Sequence, residues 1–220
     1  MSQQPDCSDA LFAARCIADR ACQAGVLTSR TFRRPTYNHM GAVLADSVLQ
    51  AGLNYTKVVK PRVEAILETF PHAETTSALN KVIAHHGSQE FLQWQHGEKV
   101  ARFEGLAQFM TEVGIDSTDQ LCAALGSDAF RSGIRRLRGI GPKTVDYMAC
   151  LVGVDCIAVD RHIRSFAEFA GLERASYDYL RDVFGFAADL LSISRREFDA
   201  SIWYHQAKKT ARQQSFAFIE

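Results

Sequence analysis

Two helical patterns meet at Gly139-Ile140-Gly141-Pro142, and that junction constrains the fold more than any other stretch of the chain. Glycines permit the positive φ or close backbone approach that a two-residue hairpin between helices needs. Proline suits a first helical position, where its missing N–H has no intrahelical role. The reading is a helix, a Gly-x-Gly hairpin and a second helix starting at about Pro142, with an apolar-periodic run from Thr144 to Val152. Unpaired backbone N–H groups at such a turn and helix start carry partial positive charge that suits a phosphate oxygen. From Arg131 to Lys143 there are Arg131, Arg135, Arg136, Arg138 and Lys143 and no acidic residue, a local basic footprint.

The footprint has to be local, because the chain as a whole carries no net charge: 25 Lys and Arg balance 25 Asp and Glu. That excludes a nucleic-acid binder working through a diffuse basic surface. With 220 residues, 47% of them hydrophobic, there is material for one large or two small cores. No run of 18 apolar residues exists, so no membrane span is expected. The polar start MSQQPDCSDA lacks a basic n-region, which predicts a soluble, cytoplasmic protein without a signal peptide. Cys7, Cys16, Cys22, Cys122, Cys150 and Cys156 include no C-x-x-C pair and are expected as reduced, mostly buried thiols. His85, His86 and His96 lack companions at metal-ligand spacing, so no metal site is expected.

Along the chain, Ser8 is placed to N-cap an amphipathic helix with Leu11, Phe12, Ile17 and Ala18 inward, ending at Gly25. Thr28 to Asn38, with Arg30, Arg33, Arg34 and Pro35, reads as a connection. Helices are expected over about 39–51 and 55–70, the second beginning in earnest near Pro61. Others are expected over 76–85, 89–95, 97–113 and 118–125, separated by glycines. After the hairpin, Asp160 opens a helix to Ala170, Tyr177 to Leu191 forms another, and Ser194 to Glu197 is a capping-box pattern opening the last. Short helices and short loops without alternating strand patterns indicate an all-α fold.

The segments LRGIGPKT and IAVDRHI together resemble the helix-hairpin-helix signature of base-excision DNA glycosylases, the endonuclease III-like superfamily. The resemblance covers about Leu44 to Gly171. It implies a hairpin that grips DNA backbone, a nucleophilic lysine at the start of the second helix and an assisting aspartate in V-D-x-H. Carried over by motif, these are Lys143 and Asp160, seventeen residues apart, close to the family spacing. It also implies two helical subdomains with a cleft between them, one of residues 41–152 containing the hairpin, the other of 1–40 plus 153–220. Arg138, Gly139, Ile140, Gly141 and Thr144 would then contact DNA, and Lys99, in HGEKVARF, resembles a position before a DNA-facing helix, with a plain surface lysine as the equal alternative. Many members carry four closely spaced C-terminal cysteines for an iron–sulfur cluster. Here no cysteine follows Cys156, so the resemblance implies a member without the cluster and without another cofactor.

The chemistry requires these residue types. A glycosylase takes its nucleotide out of the stack and expels the base through an oxocarbenium-like transition state, which a carboxylate near C1′ stabilises. A lysine amine attacking C1′ gives a Schiff base that leads to strand cleavage. Burial at a helix N-terminus near arginines favours the neutral amine. Lys143 is equally suited to contact phosphate, and Asp160 to cap the following helix; capping and catalysis can coexist. Asp146 reads as solvated, Tyr147 as core, and His162 as packing or hydrogen-bonding. Where the family carries a duplex-probing glutamine, direct alignment of Gln50-Ala51-Gly52-Leu53-Asn54 places glycine, leaving Leu53 or Asn54 as the wedge. Trp203 reads as core, with a place bordering the base pocket as the alternative. Where the family often has arginines, Ser165 and Phe169 stand, while Arg161 and Arg164 lie nearby. The expectation is a monomeric bifunctional glycosylase/AP lyase acting on a damaged, oxidised base in double-stranded DNA, in the nucleus if eukaryotic. The alternatives are a monofunctional glycosylase in which Asp160 activates water, and a non-catalytic DNA-binding module.

Overall fold

A computed structural model describes residues 7–28, 34–172 and 174–216. Among these the chain is all-α. It runs α1 (Cys7–Gln23), α2 (Met40–Leu49), α3 (Lys60–Thr69), α4 (Thr76–His86), α5 (Ser88–Leu92) and α6 (Gly97–Glu112). There follow α7 (Thr118–Ala124), α8 (Asp128–Ile134), α9 (Pro142–Leu151), α10 (Arg161–Glu168), α11 (Tyr177–Leu190) and α12 (Arg195–Phe216). A 3-10 turn occupies Val26–Thr28, and a π turn at Tyr55–Val59 runs into α3. No helix among the described residues is long and apolar enough to cross a membrane. The chain divides into two compact units, one of Pro35–Val154 and one of Met1–Arg34 with Asp155–Glu220.

The Pro35–Val154 unit is built around α2, all ten residues of which are buried. Buried in the same unit are Ile66 of α3, Leu79 of α4, Phe91 of α5, Phe103 and Met110 of α6, and Met148 of α9, with Phe91 and Leu79 against Gly41. Because no water reaches its start, α2 is capped by protein. The backbone N–H of Ala42 donates to Nδ1 of buried His39 at 3.0 Å, which leaves Nε2 protonated to donate to the Phe70 carbonyl at 2.9 Å. Thr75, Ser117 and Ser127 cap α4, α7 and α8 by side-chain oxygens, Ser117 with Gln120 as a full capping box. The α-helix expected to begin near Pro61 does so, at Lys60, with a π turn leading into it. The helical path starts at Tyr55, where the Asn54 side chain accepts from the Lys57 N–H, and Pro61 falls in the first turn of α3, where its missing N–H costs little.

In the other unit α1 begins at Cys7, so Ser8 lies inside the helix rather than capping it. Its inward face is also not the expected one. Ala10, Ala13, Ala14, Ile17, Ala18 and Ala21 are buried against a core that includes Leu180, Val183, Phe184, Ala187 and Ala188 of α11, whereas Leu11 and Phe12 are 50% and 72% exposed. The alanines of α1 share this core with the bulky Leu180 and Phe184 of α11, small side chains on one helix complementing large ones on the other. Ile157, Val159, Ile163 and Phe166 extend the same core, and Phe198 and Ile202 of α12 close it. Ser194 caps α12, its Oγ accepting from the Glu197 N–H at 3.1 Å. Arg34 pairs with buried Asp199 at 2.7 Å, while Arg30 and Arg33 lie outside the described residues.

A Cβ added at Gly41 would sit 2.7 Å from Phe91 Cζ and 3.1 Å from His39 Cε1. Gly41→Ala is therefore expected to lower the unfolding free energy by about 1–3 kcal/mol, read as a lower urea midpoint at constant slope. An unchanged midpoint would mean that Phe91 moves aside freely.

Candidate active site

The hairpin is made by tight turns. After α8, the N–H groups of Arg136, Leu137 and Ile140 donate to the carbonyls of Gly133, Ile134 and Leu137 at 3.1–3.2 Å, and Gly141 N-caps α9 with Pro142 following. Gly139 has φ +81, and a Cβ there would overlap the Arg102 guanidinium, so glycine is required both for conformation and for space. Gly141 has an ordinary extended backbone, and a Cβ at that position would meet nothing within 4 Å. Its glycine leaves open room over the start of α9. Among the described residues the N–H groups of Gly139 and Gly141 have no acceptor.

Two of the expected DNA contacts face inward instead. The Ile140 side chain is 4% exposed and its N–H is bonded within the turn, so it anchors the hairpin from beneath. Thr144 is 7% exposed and its N–H donates to the Gly141 carbonyl at 3.0 Å. Arg135, Arg136 and Arg138 are exposed. Arg131 is withdrawn from the basic footprint: its Nη1 pairs with Asp146 at 2.6 Å and its Nε donates to the Leu125 carbonyl at 2.7 Å. Asp146, read from sequence as solvated, is thus buried, because α8 delivers a guanidinium to the inner side of α9.

Lys143 is half-buried in the first turn of α9. Its Nζ donates to Gln50 Oε1 and lies 5.2 Å from the centre of the Tyr147 ring. Gln50 stands at the C-cap of α2, and its own Nε2 donates to the Ser47 carbonyl at 3.2 Å. One turn earlier on α2, Asp46 is fully buried and accepts from the hydroxyls of Tyr147 at 3.0 Å, Tyr37 at 3.0 Å and Tyr55 at 3.4 Å. Burial, reinforced by the charge of Asp46, pushes the Tyr37 phenol far above its ordinary value and keeps it a donor. Gln50 and Asp46 were not singled out from the sequence as chemical groups. The available signal was a carboxylate inside the apolar run Val43 to Leu49, where helical spacing leaves it no outer face.

Lys99 neither faces DNA nor lies on the surface. It is buried, and Nζ donates to the carbonyls of Val48 at 2.9 Å, Leu49 at 3.3 Å and Ala51 at 2.8 Å, closing the C-terminal end of α2. Unpaired carbonyls at a helix end attract a cation. Burial, with a smaller effect from the Arg102 charge, pulls the Lys99 amine down to about 8. Of the two wedge candidates, Leu53 is half-buried and Asn54 is exposed, its side-chain oxygen engaged in capping the π turn.

In the other unit, Asp160 N-caps α10. Its Oδ1 accepts from the N–H groups of His162 at 2.8 Å and Ile163 at 3.0 Å, and its Oδ2 from His162 Nδ1 at 2.8 Å. Buried Ile157, Ala158 and Val159 fix the approach to it. The His162 ring meets Trp203 edge-on at 6.0 Å, both half-buried, so Asp160, His162 and Trp203 form one polar–aromatic cluster. Sequence reasoning gave His162 no part in the site. Among the described residues no group of three His, Cys, Asp or Glu is placed to hold a metal ion. No protein-family model, curated protein or solved structure matches the chain.

Because the folded-state value of Lys99 lies below that of the unfolded chain, the unfolded state binds more protons between about pH 8 and about 10, and stability from this group rises with pH across that window. Lys99→Met leaves three carbonyls at the end of α2, those of Val48, Leu49 and Ala51, without their donor. It is expected to cost about 1–3 kcal/mol at pH 7, with the gap to wild type wider at pH 9.5. Urea denaturation at both pH values checks this, and a gap that narrows would contradict it.

Proposed function

We propose that this chain is a helix-hairpin-helix DNA glycosylase that excises a damaged, oxidised base from duplex DNA, with Lys143 as nucleophile and an associated AP-lyase step. The observation that carries this reading is the setting of Lys143: half-buried in the first turn of α9, directly after the Gly-x-Gly hairpin, its amine held by Gln50 and the Tyr147 ring. Exposed Arg135, Arg136 and Arg138, with the free N–H groups of Gly139 and Gly141, supply what a DNA backbone phosphate requires.

In this reading the neutral amine forms a bond to C1′ as the glycosidic bond breaks and the base departs with a proton. Sugar ring opening yields a Schiff base, and loss of a C2′ proton then expels the 3′ phosphate. Asp160 is assigned the assisting carboxylate by the V-D-x-H resemblance. Its three hydrogen bonds hold the carboxylate in one orientation, as stabilising a developing cation requires. Trp203, beside His162, is the candidate wall for the extruded base.

One observation favours a monofunctional enzyme as the second reading. The Lys143 amine already has an acceptor in Gln50, and a lysine so held can serve phosphate binding while Asp160 activates water.

The separating experiment is incubation with duplexes carrying an abasic site, 8-oxoguanine, thymine glycol, uracil or hypoxanthine, with and without borohydride. A covalent adduct lost in Lys143→Gln supports the lysine nucleophile. Base release without adduct supports the monofunctional enzyme, and binding with neither rejects catalysis. Arg138→Gln is expected to weaken duplex binding for every sequence and to lower the slope of log K against log salt by about 1; an unchanged slope removes Arg138 from the interface.

A further inference from the structure

We propose that Asp46 is a positioning residue for Lys143, acting through Tyr147 and the face of α2 it shares with Gln50. This rests on the reading of Lys143 as the reacting amine. Asp46 and Gln50 are four residues apart on α2, as Lys143 and Tyr147 are on α9, so each pair occupies one helix face. The two faces meet in two rungs, Tyr147 Oη to Asp46 Oδ1 at 3.0 Å and Lys143 Nζ to Gln50 Oε1.

A carboxylate with no exposed surface is costly, and an apolar residue of similar size in the middle of α2 would pack at lower cost. What the carboxylate gains is orientation. It can only accept, so three hydroxyls must turn toward it, from the segment before α2 (Tyr37), the π turn after it (Tyr55) and α9 (Tyr147). The π turn is itself an uncommon geometry, and its first residue is Tyr55. With its hydroxyl tethered, the Tyr147 ring has one orientation, and Lys143 rests against it at 5.2 Å. At the other rung, the bond from Gln50 Nε2 to the Ser47 carbonyl fixes which way the amide points, so Oε1 faces the amine. The amine is thus held at two points by groups oriented from α2. Positioning of this kind matters because a displacement of about 1 Å can cost about a hundredfold in rate.

The test uses Tyr147→Phe, which removes one hydroxyl, and Asp46→Asn, each checked for folding by thermal melting and circular dichroism. In the free protein, acetylation of Lys143 by an N-hydroxysuccinimide ester is measured by mass spectrometry against the exposed Lys57 and Lys60. On an abasic-site duplex, single-turnover borohydride trapping and the dissociation constant are measured separately. The expected result for a folded variant is a change of about threefold or more in the Lys143 acetylation ratio. Trapping should slow about tenfold or more, while duplex affinity stays within about twofold. A lowered melting temperature with acetylation ratio and trapping rate both unchanged would overturn the proposal, since a merely structural role predicts that pattern. If Asp46→Asn does not fold, Tyr147→Phe decides alone. If wild type traps no adduct, the nucleophile reading fails, and the acetylation ratio still decides whether Asp46 positions the amine.

Discussion

A helix buried along its whole length must have its end groups and every polar side chain satisfied by protein, and α2 sets that condition for the Pro35–Val154 unit. Its start is closed by His39, whose two ring nitrogens serve Ala42 and Phe70. Its end is closed by Lys99, reaching from α6 to three carbonyls. Its one carboxylate is surrounded by tyrosine hydroxyls. Each of these groups has its preferred state dictated by α2, from the tautomer of His39 to the protonation of Tyr37. Leaving any of them unpaired would cost about 1–3 kcal/mol, a large fraction of the net stability of a domain.

The same condition accounts for the character of the amine site. Gln50 is the residue at which α2 ceases to be fully buried, so it is the first able to present a polar group to a ligand-accessible side chain. Lys143 stands opposite it because α9 packs on α2 with Tyr147 at the inner rung and Lys143 at the outer. The hairpin before α9 is held from below by buried Ile140 and from the side by the Arg102 guanidinium on Gly139, leaving the open side at Gly141. A rigid support and an exposed working edge thus follow from the packing of one pair of helices.

Much of the architecture was legible because its signals are local. Serine, threonine and aspartate caps mark the starts of α4, α7, α8, α10 and α11, and glycines with positive φ follow the ends of several helices. The hairpin with the lysine after it is read from eight consecutive residues. What sequence reasoning missed depends on partners far along the chain. Lys99 looks like a surface lysine until the end of α2, about fifty residues earlier, is set beside it. Asp146 looks solvated until Arg131 arrives from the preceding helix. The face of α1 was misread for a related reason: Leu11 and Phe12 are the more hydrophobic residues, but a shape match to α11 selected the alanines.

That alanine face has a consequence for the order in which the molecule can assemble. Among the described residues, the stripe Ala10 to Ala21 buries mainly against α11 and the segments around it, beyond Asp155. Everything the α2-centred unit needs lies between Pro35 and Val154. As the chain leaves the ribosome, α1 emerges well before α11 and has to wait, and the unit encoded between them is complete before the core that α1 shares with α11 has both its sides. A helix made early is thus packed late, joined to its partner across a stretch of chain that is itself a folded body.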